Sequence, residues 1–124
     1  MSKTFILLWM IFFHIVDDYY LQGWLASAKQ KSWWKDHAPD EKYKYDYICA
    51  LVMHAFSWTF MVMLPLAYYY EFNAGYGFYV IFAYNVAMHA WVDNRKANQK
   101  VINLWQDQAV HMAQIIGTYL LVCV

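Results

Sequence analysis

Apolar residues run along this chain in four long stretches separated by polar breaks. The first covers residues 4–28 and is interrupted by Asp17 and Asp18. The second covers 47–70, with Pro65 late in the run. The third, 77–93, starts within the Asn73-Ala74-Gly75-Tyr76-Gly77 turn, and the fourth covers 101–124. Each supplies roughly the 17–25 residues that a spanning helix needs, if the polar residues inside it are tolerated. The pattern predicts an all-α chain: one domain over residues 1–124, a polytopic membrane protein folded as a four-transmembrane-helix bundle.

The breaks differ in charge. Residues 29–46 are polar and hold five lysines, 71–76 carry no positive charge, and 94–100 carry Arg95, Lys96 and Lys100. Cytoplasmic loops are enriched in Lys and Arg, so the first and third connections are expected in the cytoplasm and both termini outside. The expected location is multi-pass in a bacterial inner membrane. Lys3, the run 5–13 and Ala26-Ser27-Ala28 sketch a cleavable signal. The small residues lie too far from the run, and two aspartates intervene, so a retained helix is expected. Trp33, Trp34, Tyr43, Tyr45, Tyr47 and Tyr68–Tyr70 suit interfacial belts.

Composition strengthens the membrane reading. Hydrophobic residues make up 62% and charged residues 15% of 124 residues, against about 45–50% and about 25% for a soluble domain. Formal net charge is zero and no glycine-rich phosphate loop is present, so nucleic acid is not an expected partner. Cys49 and Cys123 form neither a CxxC pair nor a disulfide framework.

Against this background three His/Asp pairs stand out at helical spacing: His14 and Asp18, His89 and Asp93, and, in reverse order, Asp107 and His111. Residues four apart lie one above the other on a helix face. Helix direction explains the reversal. The first and third helices run toward the cytoplasm and the fourth runs away, so each aspartate lies on the cytoplasmic side of its histidine. The second helix adds His54. At 1.5 Å per residue, His54, His89 and Asp107 each fall about 10 Å from their cytoplasmic helix ends. The expectation is a histidine layer (His14, His54, His89, His111) above an aspartate layer (Asp18, Asp93, Asp107), to which all four helices contribute.

An aspartate inside a spanning helix costs about 2.5–3.5 kcal/mol on insertion scales, so these three are expected to face inward and find partners. Imidazole and carboxylate together are ligands for zinc or iron, and also for manganese. All seven residues are the expected metal ligands, with Asp18 and Asp107 also the candidate proton acceptors. Gln22 and Gln108 are expected to orient a ligand or a water. Lys29 and Lys96, with Lys31 and Arg95, are expected at the cytoplasmic mouth, serving topology or a phosphate headgroup. Asp17 should point about 100° away from Asp18, as a polar boundary or supporting residue. A metal-free hydrogen-bonded network that glues the helices is the competing explanation. Haem between two histidines leaves the aspartates unused and ranks low.

The ordered set HIVDDYYLQ, Lys29, LVMHAF, MHAWVDNRK and LWQDQAVHM resembles an uncharacterised family of small bacterial and phage membrane proteins. That family has the pattern HxxxD(F/Y)xxQ, a following Lys, an isolated His, HxxxDxxK and DQxxH. The match runs from His14 to His111 and departs mildly at Tyr19, where the family often has Phe. The resemblance implies a common site at His14, Asp18, Gln22, Lys29, His54, His89, Asp93, Lys96, Asp107, Gln108 and His111, but implies no activity. A more distant likeness is to membrane-bound metal-dependent hydrolases.

Three functions follow as expectations. The first is a metal-dependent hydrolase acting on a lipid-linked substrate that enters from the bilayer. The second is a protein that transports or senses protons or metal ions, as a homo-oligomer because four helices make a thin wall. The third is a small phage-type interaction protein that binds a host membrane protein and uses its polar layer only for stability. No Ser or Cys nucleophile accompanies the histidines, so covalent catalysis is not expected.

Overall fold

The computed structural model describes residues 2–124, and among these the only regular secondary structure is helix, without strands. The α-helices are α1 (Lys3–Val16), α2 (Leu25–Ala28), α3 (Lys31–His37), α4 (Asp46–Tyr69), α5 (Tyr76–Ala97) and α6 (Leu104–Val122). A π-helical turn, Asp17–Leu21, continues α1, and a 3-10 turn, Glu41–Tyr43, leads into α4. The four long helices form a closed ring of neighbours: α1 packs on α4 and α6, and α5 packs on α4 and α6.

The first expected helix, 4–28, is not continuous. It breaks after Leu21, where Gly23 takes the left-handed conformation at φ 57° and the chain turns back into α2. The break has a use. It lays α2 across α4 and brings Lys29 back toward the helix interior. Asn98, just past α5, clamps this reversal by donating to the Lys29 carbonyl (2.9 Å) and accepting from the Lys31 amide (2.6 Å). The other boundaries also shift. α5 extends through Arg95 and Lys96 to Ala97, so those two cations belong to a helix end and not to a loop. α6 starts at Leu104, held by a reciprocal Asn103–Gln106 capping box, and ends at Val122. Asp107 therefore sits in the first turn of α6, where the helix dipole favours a carboxylate.

Two helical stretches, Lys3–Leu21 and Glu41–Tyr69, are long and apolar enough to cross a membrane. α5 and α6 fall short of that measure, because Asn85, His89 and Asp93 interrupt one and Asp107, His111 and Gln114 the other. Those six residues are all buried.

An apolar cluster fills one end of the ring: Ile6, Met10, Val62, Leu66, Ile115 and Cys123, closed below by Trp58. The other end holds the polar layer. Gly23 and Gly77 test the local account. Adding a Cβ at Gly23 places an L side chain at positive φ, whereas at Gly77 it meets nothing within 4 Å. Gly23→Ala is expected to lower stability by about 1 kcal/mol, and Gly77→Ala to leave it unchanged or slightly raised. Thermal unfolding in detergent micelles measures both, and equal shifts would contradict the assigned turn.

Candidate metal centre

All three His/Asp pairs close across one helical turn: His14 Nδ1–Asp18 Oδ2 at 3.6 Å, His89 Nε2–Asp93 Oδ2 at 3.5 Å, and His111 Nε2–Asp107 Oδ1 at 3.2 Å. The histidines and aspartates of the separate helices interlock. His54 of α4 reaches Asp18 Oδ1 (3.1 Å), Asp93 Oδ2 (3.4 Å) and the Nε2 of His89 (3.2 Å). His14, His54, His89 and His111 are each at most 1% exposed.

Two groups of side chains have the spacing to hold a metal ion: Asp18, His54 and His89; and His89, Asp93 and His111. Ligands about 2.0–2.2 Å from a zinc ion at tetrahedral angles stand roughly 3.3–3.6 Å apart. His54 Nε2 and His89 Nε2 stand 3.2 Å apart, 3.1 and 3.9 Å from Asp18 Oδ1, and 3.4 and 3.5 Å from Asp93 Oδ2. Two imidazole nitrogens facing each other at 3.2 Å need either a proton or a cation between them. The buried donors therefore fit a divalent ion, which these His and Asp groups could hold.

Not every expected ligand is free to bind. The Trp58 indole N–H donates to His14 Nδ1 (2.7 Å). His14 must then carry its proton on Nε2, which faces Gln108 Oε1 at 2.8 Å. With both nitrogens engaged, His14 offers no lone pair to a metal in this arrangement. Gln108 passes the chain on by donating from Nε2 to Asp107 Oδ2 (3.0 Å). His14 and Gln108 thus hold Asp107 in place. Gln22, by contrast, donates to the backbone carbonyl of Asp18 (3.0 Å), and its Oε1 is buried without a hydrogen-bond partner.

Asp17 turns inward and takes the supporting role, one of the two expected of it. The π turn is wider than an α turn and brings neighbouring residues onto one face. Asp17 is 1% exposed, accepts a 2.6 Å hydrogen bond from the Ser57 hydroxyl, and faces His54 Nδ1 at 3.6 Å. A carboxylate behind the second nitrogen of a ligating histidine is the common support for such a ligand. Nothing in the sequence except the adjacent acids Asp17-Asp18 signals this turn.

Three further residues act at the site. Trp58 stacks on His89 (ring centroids 4.2 Å apart, 19° between planes), and His89 stacks on His111 (4.2 Å, 27°). Lys29 is drawn inward and places Nζ 2.9 Å from Asp93 Oδ2. Lys96, nearer the surface, lies 3.6 Å from Asp107 Oδ2. Arg95 turns away and lies over the Trp91 ring.

A second polar network continues from the layer toward the apolar end. Asn85 donates to Thr118 (2.8 Å), Gln114 donates to Asn85 Oδ1 (3.1 Å), and Gln114 Oε1 faces His111 Nδ1 at 3.1 Å. The spacing of Gln114 and Thr118, one turn apart on the His111 side of α6, is the signal that could have shown it.

Replacing Trp58 by Phe keeps the ring on His89 but removes the donor to His14. Trp58→Phe is expected to lower stability by about 1–3 kcal/mol, the cost of a buried acceptor left without its partner. The control is Met53→Ala on the exposed face of α4. Equal melting shifts for the two would count against the His14 relay.

No family model matches the chain, and no curated protein and no solved structure is significantly similar to it.

Proposed function

We propose that this chain is a four-helix integral membrane protein whose buried His/Asp centre holds a divalent metal ion and hydrolyses a lipid-linked substrate. The observation that carries this reading is the facing pair of His54 and His89 nitrogens, 3.2 Å apart, with carboxylate oxygens of Asp18 and Asp93 around them.

Burial supports the membrane. The buried residues include nearly as many polar side chains as apolar ones, while Phe5, Leu8, Phe12, Val52, Phe56, Phe60, Tyr84, Ile116 and Leu120 are exposed. A soluble domain does not leave so much apolar surface uncovered. The outward faces of α5 and α6 are as apolar as those of α1 and α4, which supports four spans. Exposed aromatics collect near both ends: Trp24, Tyr45 and Trp105 at one, Tyr68, Tyr70 and Tyr76 at the other. The lysine-rich segment between α1 and α4 supports placing that end in the cytoplasm and both termini outside, as in a bacterial inner membrane. The ordered His/Asp motif set supports kinship with small bacterial and phage membrane proteins.

Charge supports a cation. Asp17, Asp18, Asp93 and Asp107 bring four negative charges and Lys29 and Lys96 two positive ones. With neutral histidines, one divalent ion balances the layer. Zinc and iron suit the mixed nitrogen and oxygen donors, and manganese suits them next.

A bound ion of this kind lowers the pKa of its water and polarises a phosphoryl or acyl oxygen. His54, His89 and Asp93, whose facing atoms stand 3.2–3.5 Å apart, would hold it. Asp18 and Asp107 are the carboxylates placed to take the proton as water adds to the substrate and the bond to the lipid oxygen breaks. Asp18 is the most open of the four at 10%, and Asp107 Oδ1 is buried without a hydrogen bond. An apolar groove of about 550 Å³ between α5 and α6, lined by Val80, Tyr84, Met88, Val110, Gly117 and Leu121, offers a lipid chain a seat. It meets the centre through Gln114 and His111, not at the ligand atoms themselves.

The relay His111–Gln114–Asn85–Thr118 favours, as a second reading, proton or metal-ion transport. It ends under the apolar cluster of Ile6, Val62, Leu66 and Ile115, which closes the path across one chain.

Two measurements test the proposal. Protein purified in mild detergent without chelator is expected to cleave a polyprenyl or diacylglycerol phosphate ester in mixed micelles. Chelation should abolish the reaction, added metal should restore it, and Asp93→Asn should lower it at least 100-fold. Metal-independent turnover, or none across phosphate and acyl esters, would reject the hydrolase. For topology, single cysteines at Lys35 and Asn98 should be labelled only from the cytoplasmic side. Labelling of either from outside would overturn the orientation.

A further inference from the structure

Asp93 presents its two oxygens to different partners. Oδ2 faces His54 (3.4 Å), His89 (3.5 Å) and Lys29 (2.9 Å), whereas Oδ1 faces His111 Nε2 at 3.3 Å. His111 Nε2 also stands 3.2 Å from Asp107 Oδ1. That oxygen is buried and has no hydrogen-bond partner.

The Nδ1 of His111 is fixed as a donor from its far side. Asn85 gives its amide nitrogen to the Thr118 hydroxyl, so Asn85 Oδ1 accepts from Gln114 Nε2. Gln114 must then turn its carbonyl oxygen to His111 Nδ1, which has to be the donor. A neutral His111 is left with a bare lone pair on Nε2, aimed between two carboxylate oxygens. Nε2 thus stands between two carboxylate oxygens, at 3.3 and 3.2 Å, a position that calls for a positive charge, either a proton on the ring or a metal ion. One imidazole nitrogen cannot serve two ions, so His89, ligating beside His54, does not complete this second position.

We infer that the centre takes a second divalent ion, held by His111 Nε2, Asp107 Oδ1 and Asp93 Oδ1, with the Asp93 carboxylate bridging it to the ion at His54 and His89. This rests on the metal-centre reading above and deepens it. Carboxylate-bridged ions about 3.5–4 Å apart clamp the attacking and leaving oxygens of a displacement. Asp107 becomes a ligand, which leaves Asp18 as the proton acceptor. The second ion gives the layer two excess positive charges, which a bound hydroxide and an anionic substrate oxygen offset. Asn85, Gln114 and Thr118 act as positioning residues, setting which nitrogen of His111 faces the ion.

The test loads the full chain in micelles with zinc alone and counts bound zinc per chain at saturation. The expected result is two ions, falling to one in His111→Asn and in Asp107→Asn. Gln114→Leu, which leaves every ligand in place, is expected to weaken only the second ion by about 10–100-fold. Manganese in the same protein should give the coupled spectrum of a bridged pair in electron paramagnetic resonance. One ion per chain in the wild type would overturn the second site and leave the first standing. None would overturn both. Two ions persisting in His111→Asn or in Asp107→Asn would overturn the assignment of these residues.

Discussion

Asp93 is the residue on which the rest of the structure turns. Its carboxylate is buried among His54, His89, His111 and Lys29, each from a separate segment of the chain. A buried carboxylate is tolerated only when it is paired and hydrogen-bonded. Neutralising it requires α4, α5 and α6 to meet at one depth, and requires the reversal at Gly23 that returns Lys29. The features that most weaken the chain as an uninterrupted membrane helix, the π turn and the break after Leu21, are therefore the ones that complete the polar layer.

The main lines of this layer were legible in the sequence, for a simple reason. Helix periodicity is a strict ruler, and three His/Asp pairs at four-residue spacing can only point one way each. The reversed order in α6 agrees with a helix that runs opposite to α1 and α5. For Asp17 the sequence offered boundary or support and did not choose, since the π turn that lets it and Asp18 both face inward leaves no mark on an α-helical ruler. The roles of Trp58 and Ser57 depend on the rotation of α4 against α1, which an almost wholly apolar helix does not record. Lys29 read as a loop cation because nothing local shows that α2 folds back. His14 illustrates the opposite case: spacing placed it correctly, yet its indole and amide partners make it a support and not a free ligand.

The membrane reading and the metal reading are coupled through burial. α5 and α6 lose their apolar character to residues that the fold hides, and keep aromatic and aliphatic side chains on the outside. Their low hydropathy is therefore a property of their inward faces. The apolar cluster at one end and the polar layer at the other make the molecule asymmetric along its helices. This suits a site that works at one membrane surface better than a path through both. The second network, from His111 to Thr118, belongs to the same logic. It spends two buried amides and a hydroxyl to fix one imidazole.

The central claim is that imidazole and carboxylate groups of this layer bind metal directly. X-ray absorption at the metal edge of natively purified protein tests it most directly. The predicted result is a first shell of nitrogen and oxygen at about 2.0–2.2 Å, with the outer-ring scattering of two imidazoles around an ion. A metal edge without imidazole scattering, or protein that carries no metal after loading, would contradict it and leave a hydrogen-bonded network as the function of the layer.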